Sequence, residues 1–206
     1  VNRLCGGQSG GGSSLNISNA KHCFKNTENG EKYMTAERSE FANSGNTGNI
    51  SIAIDGPAGA GKSTIAKEIS KRLSITYVDT GAMYRAIGLK AMRMGIDPAD
   101  ARRVVPMLDG TNVSIEYIDG VQHVLLDGED VSGLIRTEEV SHYASVISTI
   151  PEVRKKLVEL QRALARVRNV VMDGRDICSY VLPDATHKFF VTAEPEVRAA
   201  RRPSGY

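Results

Sequence analysis

Apolar positions along this chain change period several times, and each change marks an element. NISIAID (49–55) is a short apolar run closed by Asp and Gly, which predicts a buried strand. In AGKSTIAKEISKRLS (60–74) Ile65, Ile69 and Leu73 recur at every fourth position, the period of one helix face. ITYVDTG (75–81) reads as a second short strand, and TGAMYRAIGLKAMRMG (80–95) as a helix closed by Gly95. DPADARRVVPML predicts a helix capped by Asp97 with Pro98 at its first position. The period then drops to two. TNVSIEYIDGVQHVLLDGEDV (111–131) alternates apolar and polar residues around Asp119-Gly120, a hairpin signal.

Helical spacing returns in IRTEEVSHYASVIS (135–148) and PEVRKKLVELQRALARV (151–167), broken at Pro151. NVVMDGRD (169–176) is a buried strand opening into a polar loop. HKFFVTA (187–193) is another strand, and EPEVRAARR (194–202) begins a helix. Strands alternating with helices give an α/β fold, a parallel sheet flanked by helices and carrying a small antiparallel β insertion. The expected division is a core from 50–110 and 135–202, the hairpin insertion at 111–134 and a short tail at 203–206. Residues 1–49 show neither period and are rich in Gly, Ser and Asn, so disorder is expected there. Met34 is the expected natural start, with residues 1–33 as upstream translation.

Composition narrows the class only a little. Charged residues make up 24% and apolar residues 41% of the 206 positions, ordinary for a globular protein. A net charge of +2 supplies no bulk attraction for nucleic acid or a membrane surface. No apolar run approaches the ~20 residues that span a bilayer. The three cysteines (Cys5, Cys23, Cys178) lack metal-ligand spacing, and a reducing cytoplasm is their simplest context. His123, His142 and His187 also lack ligand spacing and read as structural or solvated.

One stretch carries chemistry outright. Gly56, four residues, then Gly61-Lys62-Ser63 matches the phosphate-loop pattern, with a buried strand before it and a periodic helix after it. The loop and its flank, Gly56, Pro57, Ala58, Gly59, Ala60, Gly61, Lys62, Ser63 and Thr64, are expected to cradle a nucleoside triphosphate on backbone N–H groups. Lys62 supplies a mobile positive charge for the β- and γ-phosphates, and the Ser63 hydroxyl is placed to ligate Mg²⁺. Arg85 lies one turn into the helix after YVDTG, and Arg175 in the loop after NVVMD. Loops after parallel strands gather at one sheet edge, so these two planar phosphate-binding forks are expected to converge there. Asp173, ending its strand, reads equally as a Mg²⁺ partner through water or as a shaper of the loop with Gly174.

The segments IAIDGPAGAGKST, YVDTGAMYRA, GEDVSGLIRTEEV, ASVISTIPEVRKKLVELQR and VMDGRDICSYVLPDATHKFF, in this order, resemble bacterial cytidylate kinases. The resemblance runs from Ile50 to Arg202. It implies a nucleoside-monophosphate-kinase fold and phosphoryl transfer from MgATP to CMP or dCMP. By the same resemblance Ser145, Arg154 and Asp176 form the cytosine pocket, Arg85 and Arg175 grip phosphate, and Thr80 lies near the monophosphate. Lys62, Arg85 and Arg175 are then the catalytic set, and the hairpin is the family's insertion near the acceptor site. Cytosine offers an N4 donor beside N3 and O2 acceptors, and uracil reverses the pattern at positions 3 and 4, which leaves buried groups unpaired. The acceptor phosphate is itself the nucleophile, so no dedicated base is required.

Two departures from the family pattern stand out. Cys178-Ser179 replaces the usual Gly-Thr after the DGRD segment, and PSGY does not resemble the family's continuation into an arginine-bearing lid and a last strand. HKFFVTA is accordingly expected to form an exposed sheet edge. The expected partner is the small-molecule acceptor alone, with no nucleic acid, no membrane and a monomeric state. Another phosphate-loop small-molecule kinase, or a catalytically incomplete nucleotide-binding fragment, remain the alternatives.

Overall fold

The computed structural model describes residues 22–24 and 49–201. Its main sheet is built from strands β1 (His22–Phe24), β2 (Ser51–Asp55), β3 (Thr76–Asp79), β7 (Val170–Gly174) and β8 (His187–Val191) in the order β1-β8-β2-β7-β3. All four pairings are parallel. Helices α1 (Lys62–Leu73), α2 (Thr80–Arg93), α3 (Ala101–Asp109), α4 (Glu138–Ile147), α5 (Pro151–Val167) and α6 (Pro195–Ala200) complete the α/β fold expected from the alternating periods. β2 and β7 read as unbroken apolar runs because their interior residues are covered on both sheet faces.

Two apolar layers enclose the sheet. Ile52, Ile54 and Val171 pack with Ala66 and Ile69 of α1, while Ala53, Val78 and Met172 pack with Val158 of α5. The alternation along β2 assigns Ile52 and Ile54 to one layer and Ala53 to the other, as strand geometry requires. A third cluster joins α2, α4 and α5 to the hairpin through Met83, Ile87, Val140, Leu157, Val124 and Leu126. Burying each such side chain contributes about 1.5–3 kcal/mol.

The alternating segment forms the separate antiparallel sheet β4 (Val113–Ile118), β5 (Val121–Leu126), β6 (Glu129–Asp130). Its turn is the expected Asp119-Gly120, with φ of 51° and 76° and Ile118 paired to Val121. Both central residues take positive φ, which matches the twist of the flanking strands.

Three sequence expectations are corrected. Helix α3 starts at Ala101 and not at Pro98, because Asp97 closes a local turn onto the Ala99 N–H (2.9 Å) and Asp100 takes the cap through Arg102 (3.1 Å). α4 begins at Glu138, where Thr137 accepts the Val140 N–H at 3.2 Å. Thr137→Ala is expected to cost about 1 kcal/mol, read as a small drop in melting temperature with the cooperativity of unfolding unchanged. Finally, His22–Phe24 pairs with Phe189–Val191, so the strand expected to be an exposed edge is covered along that stretch. Unpaired N–H and C=O groups on the flank of β8 attract any short extended segment within reach, which overrides the disorder expected for these three residues. Residues 1–21, 25–48 and 202–206 lie outside the described residues, and the expectations about Met34 and the tail fall with them. Among the described residues no helix is long and apolar enough to cross a membrane.

Candidate active site

The register of three neighbouring strands gathers the site. Asp55 of β2 lies opposite Gly174 of β7, and Asp173 of β7 opposite Asp79 of β3. The segments that follow, residues 56–64, the loop 174–176 and the start of α2, therefore leave the sheet at one edge. This is the edge where parallel α/β sheets bind ligands.

Backbone constraints shape the phosphate loop. Gly56 has φ +150°, and a Cβ there would lie 1.9 Å from the Val191 carbonyl oxygen; Gly59 has φ +77° and lies against the backbone of Arg198. Only glycine fits two such close approaches. Among the described residues no side chain caps the N-terminus of α1, so its first N–H groups are available to an anion. Gly59, Gly61, Lys62, Ser63, Thr64 and Arg201 line a shallow cleft of about 290 Å³. Within the loop the Pro57 carbonyl accepts from Ala60 N–H (3.3 Å) and from the Lys62 ammonium (2.9 Å). Ala60 is fully buried and Ala58 half-buried. Burial pulls the Lys62 ammonium below the usual lysine range, against the opposing charges of Asp173, Asp55 and Asp79; Arg175 lowers it further.

Asp173 stands beside this cradle, 6% exposed. Its carboxylate accepts from the Ser63 hydroxyl at 2.8 Å and from the Tyr77 hydroxyl at 2.8 Å. Burial, and then the neighbouring Asp79 charge, raise its carboxyl above the usual range despite these donors. Burial likewise raises the Tyr77 hydroxyl, so it stays protonated and can only donate to Asp173. Among the described residues no group of three or more His, Cys, Asp or Glu side chains could hold a metal ion. What the site does offer is one hydroxyl and one carboxylate, hard oxygen donors of the kind Mg²⁺ takes together with phosphates and water.

At the head of α2, Asp79 caps the helix through Ala82 (3.0 Å) and accepts from Arg85 Nη2 at 3.2 Å. Arg136 approaches the same carboxylate at 3.8 Å. Among the described residues the Nε of Arg85 is buried without a partner. Thr80 is buried and donates to the Asp173 carbonyl at 2.8 Å, so its hydroxyl ties α2 to β7. Arg175 is exposed and forms no ion pair among the described residues.

The structure joins Arg154 of α5 to Asp176 as an ion pair, both half-buried. The third expected pocket residue, Ser145 of α4, is exposed and is not hydrogen-bonded to that pair.

Five contributors were not legible as site residues. Tyr77 reads only as a strand residue. Arg201 sits in a run of arginines, and its signal is position: it follows the last parallel strand, β8, at the same edge and donates to the Gly59 carbonyl at 3.3 Å. Gln122 of the hairpin accepts the Asp79 N–H at 2.8 Å, and Tyr117 donates to the Tyr77 carbonyl at 2.8 Å. These two bonds moor the insertion on β3. Asp55 receives the N–H groups of Ile177 (2.7 Å) and Cys178 (3.0 Å). Burial and the Asp55 charge push the Cys178 thiol up to about 12, so it stays neutral and is no nucleophile.

The family model for cytidylate kinase matches residues 52–205. A cytidylate kinase of Caldicellulosiruptor bescii is 54% identical over 153 residues, covering 74% of this chain and 68% of the relative. That of Caldicellulosiruptor saccharolyticus is 56% identical over the same shares. The Symbiobacterium thermophilum cytidylate kinase is 52% identical over 76% of this chain and 70% of the relative.

Proposed function

This chain belongs to the cytidylate kinase family, and on that premise we propose that it transfers the γ-phosphate of ATP to CMP or dCMP, giving ADP and CDP or dCDP. The observation that carries the acceptor assignment is the Arg154–Asp176 pair at the sheet edge shared with the phosphate loop. A guanidinium has five donors and a carboxylate about four lone-pair sites, so one ion pair leaves most of both unused. Side by side they complement cytosine, with Arg154 donating to O2 or N3 and Asp176 accepting from the N4 amine. Ser145 would complete that edge from α4.

Arg85 grips the acceptor phosphate, and its Nε, unpartnered among the described residues, supports this role because a buried donor is costly to leave unmet. Arg175 reaches the same phosphate from the loop after β7, and Thr80 fixes the floor between them. The phosphate loop holds ATP, and Lys62 follows the charge that moves onto the transferring group. Mg²⁺, which neutralises triphosphate charge when bound, would be held by Ser63 directly and by Asp173 through water. Its charge would also offset the burial penalty that now raises the Asp173 carboxyl. The acceptor phosphate attacks without a base, and orientation and charge neutralisation supply the rate. A monomer acting in the cytoplasm fits this chemistry.

An ADP-release assay with CMP, dCMP, UMP, AMP and shikimate tests the assignment. CMP or dCMP should exceed UMP in kcat/KM by at least about tenfold, as expected when a polar pocket faces a reversed donor pattern. A preference for UMP or shikimate would overturn the cytosine reading, and binding without turnover would favour a nucleotide-binding chain without catalysis.

A further inference from the structure

The turn that follows Asp176 is a single π-helical turn, Ile177–Val181, closed by the Leu182 N–H on the Ile177 carbonyl (2.8 Å) and the Val181 N–H on the Asp176 carbonyl (3.2 Å). Such turns recur at functional sites because the widened backbone re-aims a side chain. Tyr180 lies within this turn and is 47% exposed although it is a large aromatic.

Tyr180 has arginines as neighbours. The Arg154 guanidinium lies 5.1 Å from its ring centroid and that of Arg162 lies 6.0 Å away. Arg162 is fastened to the turn itself, donating from Nε to the Val181 carbonyl at 2.8 Å and from Nη2 to the Tyr180 carbonyl at 2.6 Å. Arg162 therefore ties down the backbone that carries the ring, and the Arg154 guanidinium lies over that ring. Its only ion-pair partner among the described residues is Asp176. Tyr84 closes the group: burial raises its hydroxyl, and it feels the charges of Arg154 and Asp176 as well as Tyr180.

We propose that Tyr180 is a positioning residue for acceptor recognition, its ring held by Arg162 and in turn orienting the Arg154 guanidinium beside Asp176. The proposal rests on the reading of Arg154 and Asp176 as the groups that meet the base. An arginine free to swing must be ordered when the acceptor arrives, and that ordering weakens binding. A ring 5.1 Å beneath it removes much of this loss beforehand and adds a cation–π attraction. A ring that merely covered α5 would affect stability without touching acceptor affinity.

Tyr180→Leu and Tyr180→Phe in the full chain separate these roles, with CMP and ATP kinetics read beside ¹⁵N relaxation of the Arg154 Nε–Hε group. Tyr180→Leu is expected to raise the KM for CMP about two- to fivefold, the weight of an exposed cation–π contact, with kcat and the KM for ATP unchanged and Arg154 more mobile. Tyr180→Phe should restore both readouts. Wild-type mobility of Arg154 in Tyr180→Leu would overturn the proposal, as would equal effects of Leu and Phe or a parallel rise in the KM for ATP. If the wild-type chain does not use CMP, the proposed function falls, and the relaxation experiment still decides whether Tyr180 holds Arg154.

Discussion

Lys62→Ala is expected to lower kcat for ATP-dependent transfer about 10²–10³-fold, the usual consequence of removing one charge-stabilising donor from a transferring group. In the structure the Lys62 ammonium bonds the Pro57 carbonyl at 2.9 Å and lies in the field of Asp173, Arg175, Asp55 and Asp79. One hydrogen bond to a carbonyl contributes only about 1 kcal/mol to folding. The fold should therefore survive the substitution, with the melting temperature moving by about 2–4 °C. Single-turnover kinetics beside a thermal melt separate the two effects. A variant with near-wild-type kcat would show that phosphate charge is met elsewhere. Lys62→Arg is not a conservative control, since a planar fork cannot follow a moving charge as a compact ammonium does.

Gly56→Ala is expected to act through folding. A Cβ at Gly56 would stand 1.9 Å from the Val191 carbonyl oxygen, and the backbone holds φ at +150°. The obstructing atom belongs to β8, which pairs with β2 from Ile52 to Asp55 and cannot swing aside as a side chain would. Strain of this kind costs about 1–3 kcal/mol before any clash, and the displaced sheet end adds to it. A total of at least about 3 kcal/mol, or a fall of about 10 °C in melting temperature, places this among the most damaging single changes available. Denaturant unfolding measures it directly; a loss below 1 kcal/mol would mean the loop opens away from β8 without resistance.

Much of this was written in the periodicity. β2, α1 and the Asp119-Gly120 hairpin emerge from local pattern alone: β2 is an apolar run buried on both faces, while α1 and the hairpin bury apolar positions on the face that their own period selects. The start of α3 was not legible, since Asp97 and Asp100 are equally good caps in sequence and only the Asx turn at Asp97 decides between them. The parallel partner of β8 was not legible either: three residues far upstream carry no period, and their place depends on an unpaired strand flank. Within the site, the phosphate loop announces itself because its chemistry is contiguous. Tyr77, Gln122, Arg201 and Asp55 do not, because each acts across a large sequence separation on a partner that only the sheet order brings near.

Asp55 shows what such a distant contact achieves. It ends the strand that launches the phosphate loop, and its two oxygens clasp the N–H groups of Ile177 and Cys178, just past the segment that carries Arg175 and Asp176. In-line transfer tolerates little error in the gap between attacking oxygen and phosphorus; a misplacement of 1 Å costs about 10²-fold. On the proposed reading ATP is held on one side of that clasp and the acceptor on the other. A single buried carboxylate thus serves as a gauge block, setting the gap across which the phosphoryl group must travel.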